Sequence, residues 1–272
     1  MSKLLDSNRM CIEEYTTNEK NAEIYYKRAV GELPEMESSK ALANLISPYI
    51  NSGETILDVG CGCGHYFRSL KSKISCEFVY CGVDPYEILI NNAKRAWKNQ
   101  LNVYFQLGNI YSLPFEENSF DYIICNNVFL HLPEIKNPLE QLIKTAKNKI
   151  FIRHLLYTKS YRIQLVYNNE WWPYTEIQPE DEFDEEGNPM SYSYFNIHSF
   201  SYFTSLVKSI APNSKITYIK DVEYDEEKIN QSANNEGFIE PTRVIAGQQI
   251  SGCLLQPHYF VIIDLESESK IA

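Results

Sequence analysis

The stretch Leu57-Asp58-Val59-Gly60-Cys61-Gly62-Cys63-Gly64 decides the fold of this chain. The residues just before the glycines form a short apolar run, which is typical of a buried parallel strand. Glycines at every second position let the backbone turn tightly, and they let a ligand approach where any side chain would clash. The spacing differs from the G-x-G-x-x-G pattern of dinucleotide-binding turns, so it disfavours a nicotinamide-dependent dehydrogenase.

Strands and helices alternate after that turn. Further short apolar runs predict strands over residues 78–84, 103–107, 120–125 and 149–153, and helical segments separate most of them. Strands linked by helices of this length imply right-handed crossovers and a parallel sheet. Because ligands of such sheets bind at the carboxyl ends of the strands, we expect a binding site where these runs end.

The alternation divides the chain into five predicted parts. We expect residues 1–50 to form an N-terminal helical cap and residues 51–155 to form the ligand-binding core. Residues 156–198 are rich in aromatic residues, acids and proline, so they predict a substrate-cap insertion. Residues 199–266 are predicted to complete the α/β core, and residues 267–272 to form a frayed tail.

Composition narrows the functional class. The chain has 272 residues, a formal net charge of −11 and 44% hydrophobic residues, and no apolar run approaches the roughly 18 residues that span a bilayer. The acidic balance argues against nucleic acid as a partner. The N-terminus lacks the features of a secretory signal, so we expect a cytoplasmic protein whose seven cysteines are free thiols. Nothing in the sequence indicates an oligomeric state.

Metal binding is not expected. Cys61 and Cys63 have a C-x-C spacing, but they lie inside the glycine turn, and the sequence has no second Cys or His pair at ligand spacing.

The glycine turn resembles the first signature of class I S-adenosylmethionine-dependent methyltransferases of the small-molecule branch. Three later segments follow the pattern of that family in order: Val83-Asp84-Pro85, residues 108–115 (GNIYSLPF) and residues 120–133 (FDYIICNNVFLHLP). The resemblance implies a Rossmann-like, doubly wound α/β fold, with a mostly parallel seven-stranded sheet and helices on both faces. It also implies S-adenosyl-L-methionine as the cofactor and a small-molecule methyl acceptor, such as a sugar or secondary-metabolite hydroxyl or amine.

The same resemblance implies a set of cofactor-binding residues. Asp84 would bind the ribose hydroxyls, since a carboxylate accepts bonds from both at once. Asn109 stands where the family more usually has an aspartate that contacts adenine. The implied residues are Asp58, Gly60, Cys61, Gly62, Gly64, Asp84, Pro85, Asn109, Ile110, Asn126, Asn127 and His131.

Several of these residues also fit a purely structural role. Asp84 alone would suit a helix cap. Asp58 would also serve by accepting backbone N–H bonds from the glycine turn. Asn126 and Asn127 would also suit the end of a strand.

Three histidines are candidates for the base that removes a proton from a hydroxyl acceptor. His131 lies nearest the acceptor side of the family, His154 follows the fifth predicted strand, and His198 follows a predicted cap strand. Each also fits a structural histidine, and the sequence does not choose among them.

Four residues are candidates for substrate binding. Arg153 would hold a carboxylate or phosphate on the acceptor, or it would form an ion pair with the acidic insertion. Trp171, Trp172 and Tyr194 would line the substrate cap, or they would only pack it onto the core. The alternative function is a non-catalytic S-adenosylmethionine-binding sensor or partner subunit, because binding alone requires the same cofactor residues.

Overall fold

The computed structural model describes residues 19–166, 182–235 and 241–265. Seven strands form a central sheet, in the spatial order β3 (Val103–Leu107), β2 (Val79–Asp84), β1 (Thr55–Val59), β4 (Phe120–Asn126), β5 (Ala146–Tyr157), β13 (His258–Asp264) and β9 (Lys215–Lys220). Strands β1 to β5 are mutually parallel, whereas β13 is antiparallel to both of its neighbours. An eighth short strand, β8 (His198–Ser199), pairs with the end of β5. The predicted mostly parallel sheet is therefore confirmed, with one extra strand.

Helices cover both faces of the sheet because the strands alternate their apolar side chains between the two faces. Ile56 of β1 packs in the cluster on one face, and its neighbour Leu57 packs in the cluster on the other face. The first face carries α2 (Glu37–Ile46), α3 (His65–Lys73) and α4 (Glu87–Trp97), and the second carries α5 (Lys136–Thr145) and α6 (Phe200–Ile210).

An N-terminal helix, α1 (Glu19–Val30), lies against α3 and α4. The Arg68 guanidinium of α3 donates to the backbone oxygens of Arg28 at 2.9 Å and Leu33 at 2.8 Å. These bonds satisfy carbonyls at the end of α1, which have no partner within the helix itself. The first 18 residues of the predicted cap lie outside the described residues.

The predicted substrate-cap segment contains a hairpin. Strands β6 (Gln164–Val166) and β7 (Tyr192–Tyr194) pair antiparallel, and residues 167–181 between them lie outside the described residues. The pairing continues to Tyr161 and Ile197, and we call residues 161–166 and 192–197 the cap hairpin. Residue 157 still belongs to β5, so the insertion starts slightly later than expected.

A second addition separates β9 from β13. It contains α7 (Glu226–Asn235) and a separate antiparallel sheet of β10 (Arg243–Ile245), β11 (Gln248–Ser251) and β12 (Leu254–Leu255). We call residues 223–235 and 241–257 the appendage. The sequence predicts that this stretch is part of the α/β core, whereas its described strands pair only with one another. In the described part of the chain, no helix has both the length and the apolar character that a bilayer crossing requires.

Candidate active site

The glycine turn after β1 is hydrogen-bonded to the end of β2. The backbone N–H groups of Gly60 and Cys61 both donate to the Val83 oxygen, at 2.8 and 3.0 Å. Gly60 has a φ of +79°, and a Cβ there would lie 2.4 Å from Cγ2 of Val128. Glycine is therefore required at this position, and the turn after β4 that contains Val128 lies directly against it.

The other two glycines of the turn, Gly62 and Gly64, are buried, and they differ in how closely neighbouring side chains approach them. A Cβ on Gly64 would meet the ring of Phe105 at 2.7 Å, whereas a Cβ on Gly62 would meet nothing closer than His65, at 3.6 Å. The thiols of Cys61 and Cys63 are buried, and burial raises the pKa of both. Within the described residues, no group of three or more His, Cys, Asp or Glu side chains could hold a metal ion.

Asp84, at the end of β2, holds two backbone segments. One carboxylate oxygen accepts from the Gly62 N–H at 3.0 Å, and the other accepts from the Tyr86 N–H at 3.1 Å. Burial raises the pKa of Asp84 to about 6, although these two bonds act in the opposite direction. Each oxygen retains a further lone pair, so the carboxylate can also accept from a ligand hydroxyl. Pro85, its neighbour, is exposed.

Asp58 lies in the interior beneath the turn. It accepts a hydrogen bond from the Tyr80 hydroxyl at 2.5 Å and is 2% exposed. Burial raises the pKa of Asp58 to about 7, with a smaller contribution from the charge of Asp84. The backbone bond to the turn that the sequence suggested for Asp58 is made by Asp84 instead.

Asn109 lies on the exposed turn after β3. Its side-chain oxygen accepts from the Tyr111 N–H at 2.9 Å, and its backbone oxygen accepts from the Ser112 N–H at 2.9 Å. Ile110 is buried beside it. The amide oxygen that we expected to face adenine thus already has one partner, and its second lone pair remains for a ligand.

Asn126, at the end of β4, is 8% exposed, and neither its amide nitrogen nor its amide oxygen has a partner among the described residues. A buried polar group left unpaired costs about 1–3 kcal/mol. Such groups therefore call for an explanation, and a ligand is one. If Asn126 only ended the strand, neither of its two amide atoms would need to be buried.

Arg153 lies beside Asn126 on β5, and its charge is neutralised within the fold. Its guanidinium contacts Asp221 through Nε at 2.7 Å and through Nη2 at 2.6 Å. It also donates to the side-chain oxygens of Asn127 at 2.6 Å and Gln249 at 3.3 Å. Asp221, its described acidic partner, follows β9, which is two strands away from β5 in the sheet. For the alternative ion pair with the acidic insertion, no partner of Arg153 lies among the described residues of that insertion.

The structure brings the three candidate histidines into one region. His154 Nε2 and His198 Nδ1 are 2.6 Å apart. Burial lowers the pKa of His154 well below its ordinary value, and positive charge on His198 or on His131 would lower it further. His131 Nδ1 lies 3.1 Å from the backbone oxygen of Tyr194 in the cap hairpin. Burial lowers the pKa of His131 and of His198 to about 4, so both are neutral near pH 7.

Of the three candidate residues in the predicted substrate cap, only Tyr194 lies within the described residues. The Tyr194 ring lies 5.3 Å from the Tyr192 ring and 5.2 Å from the Arg162 guanidinium. Trp171 and Trp172 lie outside the described residues.

Sequence reasoning missed a contact of α1 with the glycine turn. The Tyr25 ring stacks on His65 at 5.4 Å, and the Cys63 thiol lies 3.6 Å from the Ala22 oxygen. His65 Nδ1 is buried without a described partner, and burial lowers the pKa of His65 to about 3. The α1 segment has no strong apolar period, so its sequence carried no signal for this position.

Comparisons with known proteins find a methyltransferase domain. Residues 50–178 match a family model described as a methyltransferase domain. An uncharacterized methyltransferase of Schizosaccharomyces pombe is 28% identical over 137 residues, covering 46% of this chain and 49% of the relative. A demethylmenaquinone methyltransferase of Oceanobacillus iheyensis is 32% identical over 102 residues, covering 36% of this chain and 42% of the relative. This chain thus spans half or less of the length of these curated relatives.

Solved structures share the fold. A methyltransferase of Haloferax volcanii, in complex with the Trm112 methyltransferase activator, superposes with a TM-score of 0.55 at 14% identity, covering 89% of this chain and 95% of that one. A methyltransferase of Methanosarcina mazei described as S-adenosylmethionine-dependent has a TM-score of 0.51 at 14% identity, covering 81% and 96%. Residues 50–178 therefore match a methyltransferase domain, and the described fold is that of class I, Rossmann-like methyltransferases, whose cofactor is S-adenosyl-L-methionine.

Proposed function

We propose that this protein is an S-adenosylmethionine-dependent methyltransferase with a small-molecule acceptor. The observation that carries the proposal is the Asn126 amide, which is buried without a described partner at the end of β4. The neighbouring turn after β4 touches the glycine turn, and Asp84 bonds to that same glycine turn. A polar ligand that reaches these strand ends would pair the amide of Asn126.

The residues present fit this cofactor. Asp84 has lone pairs left for the two ribose hydroxyls, and Asn109 has one left for the adenine amino group. A Cβ on Gly62 would meet only His65, at 3.6 Å, so the backbone there is less crowded than at Gly60 or Gly64. When bound, S-adenosylmethionine supplies an electrophilic methyl group on a positively charged sulfur. The protein contributes by aligning the acceptor with that group and by taking up its proton.

Three observations support a small acceptor. The cap hairpin places Tyr192 and Tyr194 beside the turn that contains His131. The net charge of −11 opposes a polyanionic substrate. The matched relatives include a demethylmenaquinone methyltransferase and a sterol 24-C-methyltransferase of S. pombe, whose names denote small molecules. We propose a hydroxyl or amine of a sugar or secondary metabolite as the acceptor.

We further propose the cytoplasm as the compartment. All six cysteines within the described residues are free, as is usual where thiols are kept reduced.

Calorimetric titration tests cofactor binding directly. We expect saturable binding of S-adenosylhomocysteine, the product of methyl transfer, and no binding of nicotinamide adenine dinucleotide. Binding of the dinucleotide alone would overturn the proposal. Release of S-adenosylhomocysteine in the presence of a panel of phenols, alcohols and amines then separates an enzyme from a non-catalytic sensor, which would bind the cofactor without turnover.

A further inference from the structure

The hydrogen bond of His131 fixes which of its ring nitrogens carries the proton. Its Nδ1 faces the backbone oxygen of Tyr194 at 3.1 Å, and a carbonyl oxygen can only accept. His131 Nδ1 is therefore the N–H donor, and in the neutral ring Nε2 carries a lone pair. That tautomer is the one a general base requires.

The Nε2 atom of His131 remains available. Among the described residues it forms no hydrogen bond, and it is not one of the fully buried unpaired atoms. The short 3₁₀ turn that carries it, Phe129–His131, directly follows Val128. Because Val128 touches Gly60, this turn lies between the glycine turn and the cap hairpin. A base is needed at that border between a cofactor and an acceptor.

The other two candidates, His154 and His198, have no accessible lone pair that could act as a base. One proton lies between His154 Nε2 and His198 Nδ1, and His154 Nδ1 is buried with no described partner. If Nε2 of His154 accepted the proton, its Nδ1 would be a buried N–H without an acceptor, which is costlier than a bare lone pair. His154 therefore donates, and the remaining proton of His198 is on its Nε2.

We propose that Nε2 of His131 takes the proton of an acceptor O–H or N–H group as that group is methylated. This proposal rests on the proposed methyltransferase function. The acceptor heteroatom forms a bond to the methyl carbon, the bond from that carbon to sulfur breaks with its electron pair left on sulfur, and the acceptor proton moves to Nε2. The imidazolium of His131 then releases this proton to solvent.

The cap hairpin is the positioning element for this base. Besides the bond from His131 to Tyr194, the Asn196 backbone N–H donates to the Leu130 oxygen at 2.8 Å, and the Asn196 side chain donates to the Leu132 oxygen at 2.8 Å. These bonds hold the residues on both sides of His131. The cap thus fixes both the position and the tautomer of the ring.

Nitrogen NMR of protein labelled with ¹⁵N-histidine tests the tautomer without an acceptor. We expect the His131 ring, assigned by its loss in His131→Asn, to be neutral at pH 7 with the proton on Nδ1. Asparagine at this position keeps a donor for the Tyr194 oxygen, so the variant should keep the thermal stability of the wild type, whereas His131→Ala should lose part of it. A His131 ring protonated on Nε2, or on both nitrogens, would overturn the proposal.

Reactivity supplies the second test. Diethyl pyrocarbonate acylates histidine nitrogens that have an accessible lone pair, so His131 should react fastest of the five histidines, and S-adenosylhomocysteine should slow this reaction. Preferential reaction of His198 would overturn the proposal. If the wild type bound no S-adenosylhomocysteine, the proposed function would fail, whereas normal binding with the wrong tautomer would remove only the role of His131.

With an acceptor that the wild type methylates, His131→Asn should lower kcat by about 10²–10⁴-fold, with a much smaller effect on S-adenosylhomocysteine affinity. His198→Asn is the comparison variant, because its amide oxygen can accept the same bond from His154, and it should lower kcat much less than His131→Asn does. Full activity of His131→Asn would contradict the role of His131 as base.

Discussion

At the scale of single residues, the site depends on carboxylates that the fold buries before any ligand arrives. Asp84 bonds to the Gly62 and Tyr86 N–H groups, and Asp58 bonds to the Tyr80 hydroxyl. Burial raises the pKa of both acids, to about 6 for Asp84 and about 7 for Asp58. Strongly shifted carboxyl groups of this kind cluster at functional sites, because hydrogen-bond donors of a ligand can offset the cost of burying their charge.

Asp84→Ala should weaken S-adenosylhomocysteine binding by about a hundredfold or more. The loss follows from two hydrogen bonds to a charged acceptor, at about 1.5–3 kcal/mol each. The variant should also lose some stability, since the N–H groups of Gly62 and Tyr86 lose their acceptor. Asp84→Asn keeps an acceptor in place and should lie between the two in affinity. Calorimetry checks the affinity and urea unfolding checks the fold; unchanged affinity would show that Asp84 only caps the helix.

Asp58 should make the ligand-free protein less stable as the pH rises. Its pKa of about 7 in the folded protein exceeds the ordinary value of 3.8, so its contribution is fully present below pH 4 and is lost as the pH rises through 7. The contribution of Asp58 to the free energy of unfolding falls by at most about 4 kcal/mol over this pH range. The buried histidines, whose pKa values are lowered, act in the opposite direction, so comparison with Asp58→Asn isolates the contribution of Asp58. From pH 5 to pH 8, the free energy of unfolding in urea should fall more, or rise less, in the wild type than in Asp58→Asn. An equal change in both proteins would refute the assignment to Asp58.

At the scale of elements, two turns from different strands build the site by touching each other. The glycine turn follows β1, the turn that leads to His131 follows β4, and Gly60 meets Val128 between them. The two strands are adjacent in the sheet, so their carboxyl ends come together without help from the rest of the chain.

Gly60→Ala tests this contact. The new Cβ would lie 2.4 Å from Cγ2 of Val128 at a φ of +79°, so we expect a loss of about 1–3 kcal/mol from overpacking and about 1–2 kcal/mol from backbone strain. Affinity for S-adenosylhomocysteine should fall as the two turns separate. Adding Val128→Ala should recover the overpacking part but not the strain. No recovery in the double variant would mean that the contact is not what requires glycine.

The parts of the site that sequence reasoning found are those with local signals. A glycine turn after an apolar run and an acid at a strand end can be recognised within a few residues, and the sheet follows from the alternation of strands and helices. The tautomer of His131 could not be predicted, because it depends on a backbone oxygen 63 residues away. The partner of Arg153 was missed for a similar reason, since Asp221 is 68 residues away in sequence. The strands of the appendage are only two to four residues long, too short to show a period.

At the scale of the whole molecule, the core carries two additions that meet near its strand ends. Leu165 and Phe195, at the cap hairpin, pack in one apolar cluster with Leu130 of the His131 turn and with Leu254 of the appendage. The Arg153 guanidinium connects the residues after β4 to the appendage by polar contacts, since it donates to Asn127 and to Gln249. The appendage is thus attached to the end of the sheet where the candidate site lies.

Asp221→Leu tests the buried ion pair that anchors this attachment. The side chains of Arg153 and Asp221 are 5% and 2% exposed, so removal of the carboxylate would leave a buried, uncompensated charge and should cost about 3–5 kcal/mol in the free energy of unfolding. Arg153→Met combined with Asp221→Leu should cost less than Asp221→Leu alone, because no charge then remains. Gln249→Leu, which removes only the bond from the appendage, should cost about 1 kcal/mol. Urea unfolding of the wild type and of these three variants measures the differences in the free energy of unfolding. A double variant less stable than Asp221→Leu would contradict this explanation, because Arg153 would then stabilise the fold even without the carboxylate that neutralises it.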